Sequence, residues 1–234
     1  MTASTIATHE STSSALPSIL LVRHGEVVPS QKTICYGCTE VELSQSGRQR
    51  TIEVAKNIAE RFDVVSIWHS GLTRTAVLAE AIVKTGAMVS QPIADDRLLE
   101  RDYGRWHGRT WDEIFAEDPD RFHDLIDQPD TYAPHGGETT TAMQRRMVDW
   151  FEEVTAAFNG ASTDQTAPSS KPRTVVACSH SGPIAALGGH ITGRPAKDWA
   201  EFMVDPLGMI RIDLQVDPQN DSVANLNLLP NFKT

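Results

Sequence analysis

The chain has 234 residues, 40% of them hydrophobic and 22% charged, which is enough apolar material for the buried core of one ordinary domain. The net charge of −10 opposes non-specific binding to nucleic acid or to an anionic membrane, because phosphate repels an acidic protein. The apolar runs are too short to span a bilayer, and three cysteines cannot form an even disulfide framework. These features predict a reducing, cytoplasmic setting.

The first half of the chain alternates short apolar runs with amphipathic segments. Residues 1–18 are rich in Ser and Thr and contain no Lys or Arg, so they predict a disordered tail and not a secretory signal. The run ILLV at 19–22 is typical of a strand buried on both faces of a parallel sheet. The spacing of apolar residues then predicts a helix over 44–62, a strand over 64–68, a helix over 72–85 and a short strand over 91–94.

The second half begins with a segment that contains no clear strand. Residues 101–145 predict a small helical cap over one end of the sheet, with helices over 110–128 interrupted at Pro119. The elements predicted after it are a helix over 138–158, a polar linker over 159–172, a strand over 174–178, a helix over 183–190 and two closing strands over 209–216 and 223–228.

Strands that alternate with helices imply right-handed βαβ units. The predicted fold class is therefore α/β, in three α/β/α layers around a mostly parallel sheet, with residues 19–234 forming a single domain.

Three of the predicted strands end in residues that suit a phosphoryl group. The first is followed by Arg23, His24 and Gly25, the second leads to Arg74 one helical turn later, and another ends before His180. If these strands are neighbours, two arginines and two histidines converge where open α/β sheets bind ligands. Arg offers a planar fork of donors to phosphate oxygens, and Gly25 and Gly182 let the backbone approach closely.

Two imidazoles in an anion pocket have a limited set of roles. One can act as a nucleophile and form a phosphohistidine, and the other can donate a hydrogen bond to the phosphoryl oxygens. Each residue by itself also has an ordinary interpretation, since a histidine after a strand is commonly a loop residue and Arg74 could be a solvated helix charge. Their joint placement at three strand ends favours a site.

Six motifs occur between residues 19 and 214. They are LVRHGE at 21–26, YGCTEVELS at 36–44, SGLTRT at 70–75, LERDYGRWHG at 99–108, GGET at 136–139 followed by Arg146, and SHSG at 179–182. In type and order they resemble those of the histidine phosphatase superfamily, also called the phosphoglycerate-mutase-like family. The chain departs from the family pattern at Gly71, where Pro is usual, at His107, where Glu is frequent, and at Ser181, where Gly is more usual.

The resemblance implies a role for each matched residue. His24 is the nucleophile that takes the phosphoryl group, while Glu100 protonates the leaving oxygen and then acts as the base for water. No metal or cofactor is implied, because positioning and charge neutralisation dominate phosphoryl transfer. The residues that hold the substrate and stabilise the transferred group are Arg23, Arg74, His180, Gly25 and Tyr103.

These roles predict a metal-independent phosphomonoesterase that hydrolyses a small phosphorylated metabolite through a phosphohistidine. One alternative is a phosphoglycerate-type mutase, which the short cap with few basic residues disfavours. Another is a non-catalytic protein that binds a phosphate ligand, which the intact set of candidate catalytic residues disfavours. From the residues alone, Glu100 could instead form a salt bridge with Arg97 or Arg101.

The remaining candidate ligands have weaker support. Cys35 and Cys38 are spaced as a redox pair or as half of a zinc site, but no second cysteine pair or nearby histidine pair completes a zinc site. Cys178 lies in a predicted buried strand and is expected to serve packing. His107 and His135 lie near the predicted cap, where contact with substrate and a surface role are both open.

Overall fold

A six-stranded sheet lies at the centre of the computed structural model, which describes residues 16–87, 89, 91–160, 171–217 and 220–229. Residues 1–15 of the predicted tail and 161–170 of the predicted linker lie outside the described residues. The strands are β1 (Ser18–Arg23), β2 (Asp63–His69), β3 (Ile93–Ala94), β4 (Arg173–Ser179), β5 (Met209–Asp217) and β6 (Asn220–Leu229).

The strand order is β3-β2-β4-β1-β5-β6. The first four strands are parallel to one another, whereas β5 is antiparallel to β1 and forms a hairpin with β6. The predicted mostly parallel sheet and its closing hairpin are therefore confirmed. Ser18, assigned to the tail in the prediction, is the first residue of β1 and is buried, with its hydroxyl 2.8 Å from that of Thr174.

The α-helices cover the two faces of the sheet. They are α1 (Gln45–Arg61), α2 (Thr73–Lys84), α3 (Trp111–Glu117), α4 (Pro119–Asp127), α5 (Thr140–Gly160) and α6 (Ser181–Thr192). Ile19 and Leu21 of β1 pack into a core with α5 and α6, and Leu20 and Val22 pack into a second core with α1 and α2. This alternation is the period of a strand, and it confirms the α/β/α layering.

The predicted helices differ from the observed ones mainly at their ends. Ser44 caps α1 as predicted, because its hydroxyl accepts a hydrogen bond from the amide of Gly47. The predicted helix over 183–190 begins earlier, at Ser181, since Pro183 fits the first turn of a helix and does not have to start it. None of the helices in the described part of the chain has both the length and the apolar composition needed to cross a membrane.

The segment predicted as a cap carries its own small core. Its α-helical part is confined to α3 and α4 and to the start of α5. The predicted interruption is present but lies at Asp118, because Pro119 occupies the first position of α4. The loops on either side are less helical than predicted, and Thr110 forms an isolated β-bridge with Ile34. The residues of this core are Cys35, Trp106, Ile114 and Leu125, with Tyr103, Trp111, Phe122 and Tyr132 packed against them.

Candidate active site

The order of the central strands brings the predicted site residues together. β4 lies between β1 and β2, so their carboxyl ends are adjacent at one edge of the sheet. Arg23 at the end of β1 is level with Ser179 of β4, and the amide of His24 donates to the carbonyl of Ser179 at 3.1 Å. The rings of His24 and His180 lie edge to face with their centroids 5.2 Å apart.

His24 is held in a single tautomer. Its Nδ1 lies 2.7 Å from the carbonyl oxygen of Gly25, which can only accept, so Nδ1 carries the proton and Nε2 keeps its lone pair. Burial, and next the charge of Arg74, lower the pKa of His24 to about 3. A Cβ on Gly25 would lie 2.7 Å from Thr51 Oγ1 and 2.9 Å from the carbonyl oxygen of Gly47, so this residue must be glycine for the loop to reach α1.

Arg74 is buried and held from three directions. Its terminal nitrogens donate to the carbonyl oxygens of Thr39 and Gly37, each at 2.6 Å, and its Nε donates to Nδ1 of His180 at 3.3 Å. The guanidinium lies 5.1 Å from the ring centroid of Tyr36. Because each terminal nitrogen carries two hydrogens, a second N–H on each remains for a ligand.

His180 is fully buried and has a partner at each ring nitrogen. Since Nδ1 accepts from Arg74, the proton lies on Nε2, which donates to the hydroxyl oxygen of Ser70 at 2.9 Å. Burial, and next the charge of Arg74, lower the pKa of His180 well below its usual value, so the ring is neutral. Ser70 was not among the predicted site residues, although it directly follows β2 and belongs to a recognised motif.

Arg23 has a donor without a partner. One terminal nitrogen donates to the carbonyl oxygen of Val204 at 2.8 Å, but Nε is buried and has no hydrogen-bond partner among the described residues. A buried unpaired donor costs on the order of 1–3 kcal/mol, and a bound anion would satisfy it. Arg23 also lines the cavity described below, as the prediction of an anion pocket requires.

Glu100 faces the amino-terminal end of α6. Its carboxylate accepts from the amides of Arg101 at 3.0 Å and Gly182 at 3.4 Å. A Cβ on residue 182 would collide with this carboxylate, so glycine at that position allows the acid to approach the helix. The predicted alternative of a salt bridge is not observed, because Arg97 pairs with Asp95 and the guanidinium of Arg101 donates to the carbonyl oxygen of Glu138.

Arg146 of α5 positions the backbone that carries Glu100. Its guanidinium donates to the carbonyl oxygens of Arg97 at 2.8 Å, Leu99 at 2.7 Å and Glu100 at 3.2 Å. It also forms an ion pair with Glu138 at 2.7 Å. Arg146 belongs to a recognised motif, but its contacts could not be predicted from that motif.

A cavity of about 200 Å³ opens beside these residues. Tyr103, predicted to bind substrate, lines it, with its ring centroid 5.3 Å from that of Trp111. Three of the lining residues, Arg23, Glu100 and Tyr103, were predicted site residues. Four others lie outside the recognised motifs, so no signal in the sequence pointed to them: Lys32, Ile34, Trp111 and Met203. The full lining is Arg23, Lys32, Ile34, Tyr36, Gly37, Glu100, Tyr103, Trp111, Ser181, Gly182 and Met203.

The low pKa of His24 should make the folded protein sensitive to acid. Between the ordinary value of 6.5 and the folded value of about 3, the unfolded chain binds a proton that the folded chain does not, so stability falls as the pH decreases through this window. One such group contributes up to about 1.4 kcal/mol per pH unit. When urea unfolding is measured from pH 7 to pH 4, the free energy of unfolding should fall less steeply with decreasing pH for His24→Asn than for the wild type.

The exposed His190 supplies the matched control for this measurement. The slope of unfolding free energy against pH should change more for His24→Asn than for His190→Asn. Parallel slopes for the wild type and His24→Asn would contradict the assigned environment of His24.

Comparisons with known proteins agree on one family. The sequence profile of the histidine phosphatase superfamily (branch 1) matches residues 19–225. A glucosyl-3-phosphoglycerate phosphatase of Mycolicibacterium vanbaalenii is 30% identical over 182 residues, which cover 77% of this chain and 76% of the relative. Phosphoserine phosphatase 1 of Hydrogenobacter thermophilus is 27% identical over 170 residues, which cover 72% and 73% of the two chains.

A solved structure described as mycobacterial hydrolase 1 has the same fold. It superposes with a TM-score of 0.78 at 24% sequence identity, and the match covers 93% of this chain and 100% of the other. The predicted resemblance and fold class are thereby confirmed.

Proposed function

Because this chain belongs to the histidine phosphatase superfamily, we propose that it uses His24 as the nucleophile with which it hydrolyses small phosphorylated metabolites. The chain is a phosphatase, as the family and its relatives indicate. We propose that it needs no metal, since a metal-independent phosphoserine phosphatase of Arabidopsis thaliana is 26% identical over 76% of this chain. The observation that carries the assignment of the nucleophile is the hydrogen bond from Nδ1 of His24 to the carbonyl oxygen of Gly25, which leaves the lone pair of Nε2 free.

In the first step, Nε2 of His24 attacks phosphorus as the bond from phosphorus to the ester oxygen breaks. The electron pair of that bond goes to the leaving oxygen, which takes a proton from Glu100. Arg23 and Arg74 neutralise the charge on the phosphoryl oxygens, and the unpaired Nε of Arg23 gains an acceptor. His180 joins them when its Nε2–H exchanges Ser70 for a phosphoryl oxygen.

In the second step, Glu100 is a carboxylate and takes a proton from water. The water oxygen attacks phosphorus, and the electron pair of the phosphorus–nitrogen bond returns to Nε2 of His24. The products are inorganic phosphate, neutral His24 and protonated Glu100, so the site is ready for another substrate. Neutral His24 and His180 avoid a build-up of positive charge that would otherwise hold the phosphate product.

The cap favours hydrolysis over a mutase reaction. A mutase benefits from basic residues that hold its phosphorylated intermediate inside the site. Here Arg105 and Arg109 pair with Glu117, and Arg121 pairs with Asp124, so these side chains are engaged by acids of the cap. Water can then compete for the phosphohistidine.

The function can be tested with a panel of phosphorylated metabolites that includes glucosyl-3-phosphoglycerate, phosphoserine and 3-phosphoglycerate, assayed in EDTA. We expect release of inorganic phosphate from at least one of them. Conversion of 3-phosphoglycerate to 2-phosphoglycerate in the presence of 2,3-bisphosphoglycerate, with little free phosphate, would show the mutase alternative instead. Binding of phosphate without turnover of p-nitrophenyl phosphate would show the non-catalytic alternative.

We also propose that the protein acts in the cytoplasm on free metabolites and not on nucleic acid. The net charge of −10 opposes a polyanionic partner. The positive charge of the site is local, since Arg23 lines a small cavity and the buried Arg74 donates to His180. The three cysteines are free thiols, which suits a reducing compartment.

A further inference from the structure

Three potential metal ligands converge beside the active site and have no part in the proposed mechanism. Nε2 of His107 lies 3.9 Å from Sγ of Cys38 and 3.8 Å from Oδ1 of Asp102. The ligand atoms of all three side chains lie within 4.8 Å of one another. Each side chain is partly exposed, so an ion has access to the cluster from solvent.

We propose that Cys38, Asp102 and His107 bind a zinc ion, with water as the fourth ligand, and that bound zinc slows the phosphatase reaction. Thiolate, imidazole and carboxylate are the three ligand types that zinc takes in proteins. Ligand atoms at ordinary zinc distances in a tetrahedral site lie about 3.3–3.6 Å apart, so the two distances to His107 need to shorten by a few tenths of an ångström. The side chain of Asp102 is 46% exposed, and its Oδ1 accepts a hydrogen bond from the amide of Gly104 at 2.8 Å, so zinc would share or replace that contact.

The tautomer of His107 suits a metal at this position. Nε2 accepts a hydrogen bond from the backbone amide of Tyr103 at 3.1 Å, so its lone pair is free of a proton. Zinc would replace the amide as the partner of that lone pair, and the proton of the Cys38 thiol would pass to solvent as the zinc–sulfur bond forms. The proposed site uses Cys38 without the buried Cys35, so it differs from the site that the spacing of the two cysteines suggests.

The same loop connects this cluster to the active site. Cys38 lies between Gly37 and Thr39, whose carbonyl oxygens hold Arg74. Gly37 also lies against His107, since a Cβ at residue 37 would be 2.6 Å from Nε2. A zinc ion that draws Cys38 towards His107 therefore displaces the carbonyl groups that position Arg74. This effect on the rate rests on the proposed function, whereas zinc binding itself does not.

Binding can be measured without reference to activity. Calorimetric titration of the metal-free full chain with zinc chloride should give one bound ion per chain, for the wild type and for the Cys35→Ala control alike. Cys38→Ser and Asp102→Asn should each bind zinc at least about tenfold more weakly. Cobalt(II) should give a sulfur-to-metal charge-transfer absorption in the wild type and in His24→Asn, but not in Cys38→Ser. Absence of zinc binding, or a cobalt spectrum unchanged in folded Cys38→Ser, would overturn the site.

The effect on rate needs a separate comparison. Zinc should inhibit hydrolysis of p-nitrophenyl phosphate by the wild type, and EDTA should restore it. Cys38→Ser should keep the basal rate but require at least about tenfold more zinc for half-inhibition. Equal sensitivity of the two proteins would show that zinc acts at the catalytic histidines, and would overturn the proposed inhibition. If p-nitrophenyl phosphate is not hydrolysed at all, the proposed function fails, and the calorimetric and cobalt results still decide the metal site.

Discussion

Replacement of His24 by Asn should abolish both phosphate release and the acid-labile phosphoenzyme. Nδ1 of His24 carries a proton and donates it to the carbonyl oxygen of Gly25, so the free lone pair of the ring is on Nε2. Asparagine has no nitrogen nucleophile to replace it. Loss of the attacking group in a covalent mechanism costs on the order of 10⁴–10⁶ in kcat. Mass spectrometry after a brief cold incubation with substrate should find the added phosphate on His24 in the wild type and nowhere in the variant.

Two controls separate this result from unfolding. His190→Asn changes an exposed histidine and should keep wild-type turnover and phosphoenzyme. Circular dichroism should show that His24→Asn retains the secondary structure of the wild type. Phosphate trapped on another residue, or turnover by the folded variant, would show that the covalent step uses a different nucleophile.

Replacement of Glu100 by Gln should lower kcat by about 10²–10⁴ for a phosphorylated alcohol, because the leaving alkoxide then departs without a proton. p-Nitrophenyl phosphate has a leaving group that needs no proton. The rate of the first step should therefore fall much less with this substrate. The second step still lacks its base. Rapid mixing should therefore show a burst of one nitrophenolate per site, followed by slow turnover as phosphohistidine accumulates.

The exposed Glu80 gives the matched control, since Glu80→Gln removes the same charge on α2 and should leave both phases unchanged. Glu100 accepts the two amides through different oxygens, so the single oxygen of glutamine can keep the 3.0 Å contact with Arg101 and only the longer contact with Gly182 is lost. Circular dichroism should therefore show that the variant is folded. An equal loss on both substrates with no burst would mean that Glu100 acts on the fold of the loop and not on proton transfer.

The local pattern of the sequence was sufficient to predict the layers of the fold. The uniformly apolar run at 19–22 indicated a strand buried on both faces, and the structure divides its side chains between two cores. The roles of Ser44 as a helix cap and of Gly182 as a point of close backbone approach could also be predicted, because each depends on the residue type at one position. Helix ends were less predictable, since the first and last turns are held by contacts outside the helix.

The composition of the site could be predicted, but its internal contacts could not. Motifs identified Arg74 and His180, and the strand order then placed these residues, 106 positions apart, within hydrogen-bond distance. Only packing decided that Arg74 is held by the carbonyl groups of Gly37 and Thr39. Similarly, the side chain of Glu100 has neighbouring arginines in the sequence, yet the fold directs Arg97 to Asp95.

The cluster at Cys38 shows the same division between local and tertiary information. The sequence contains a cysteine pair but predicts no zinc site, because no second pair of ligands is recognisable near it. Asp102 and His107 lie on a different loop from Cys38, so the spacing of residues in the sequence does not predict that the three are close together. The local periodicity of apolar residues indicates which side of a helix or strand is buried. Contacts between loops that are distant in sequence depend instead on how all the elements pack. The sequence by itself therefore determined the layers and the chemical groups of the site, and the tertiary structure decided which of those groups touch.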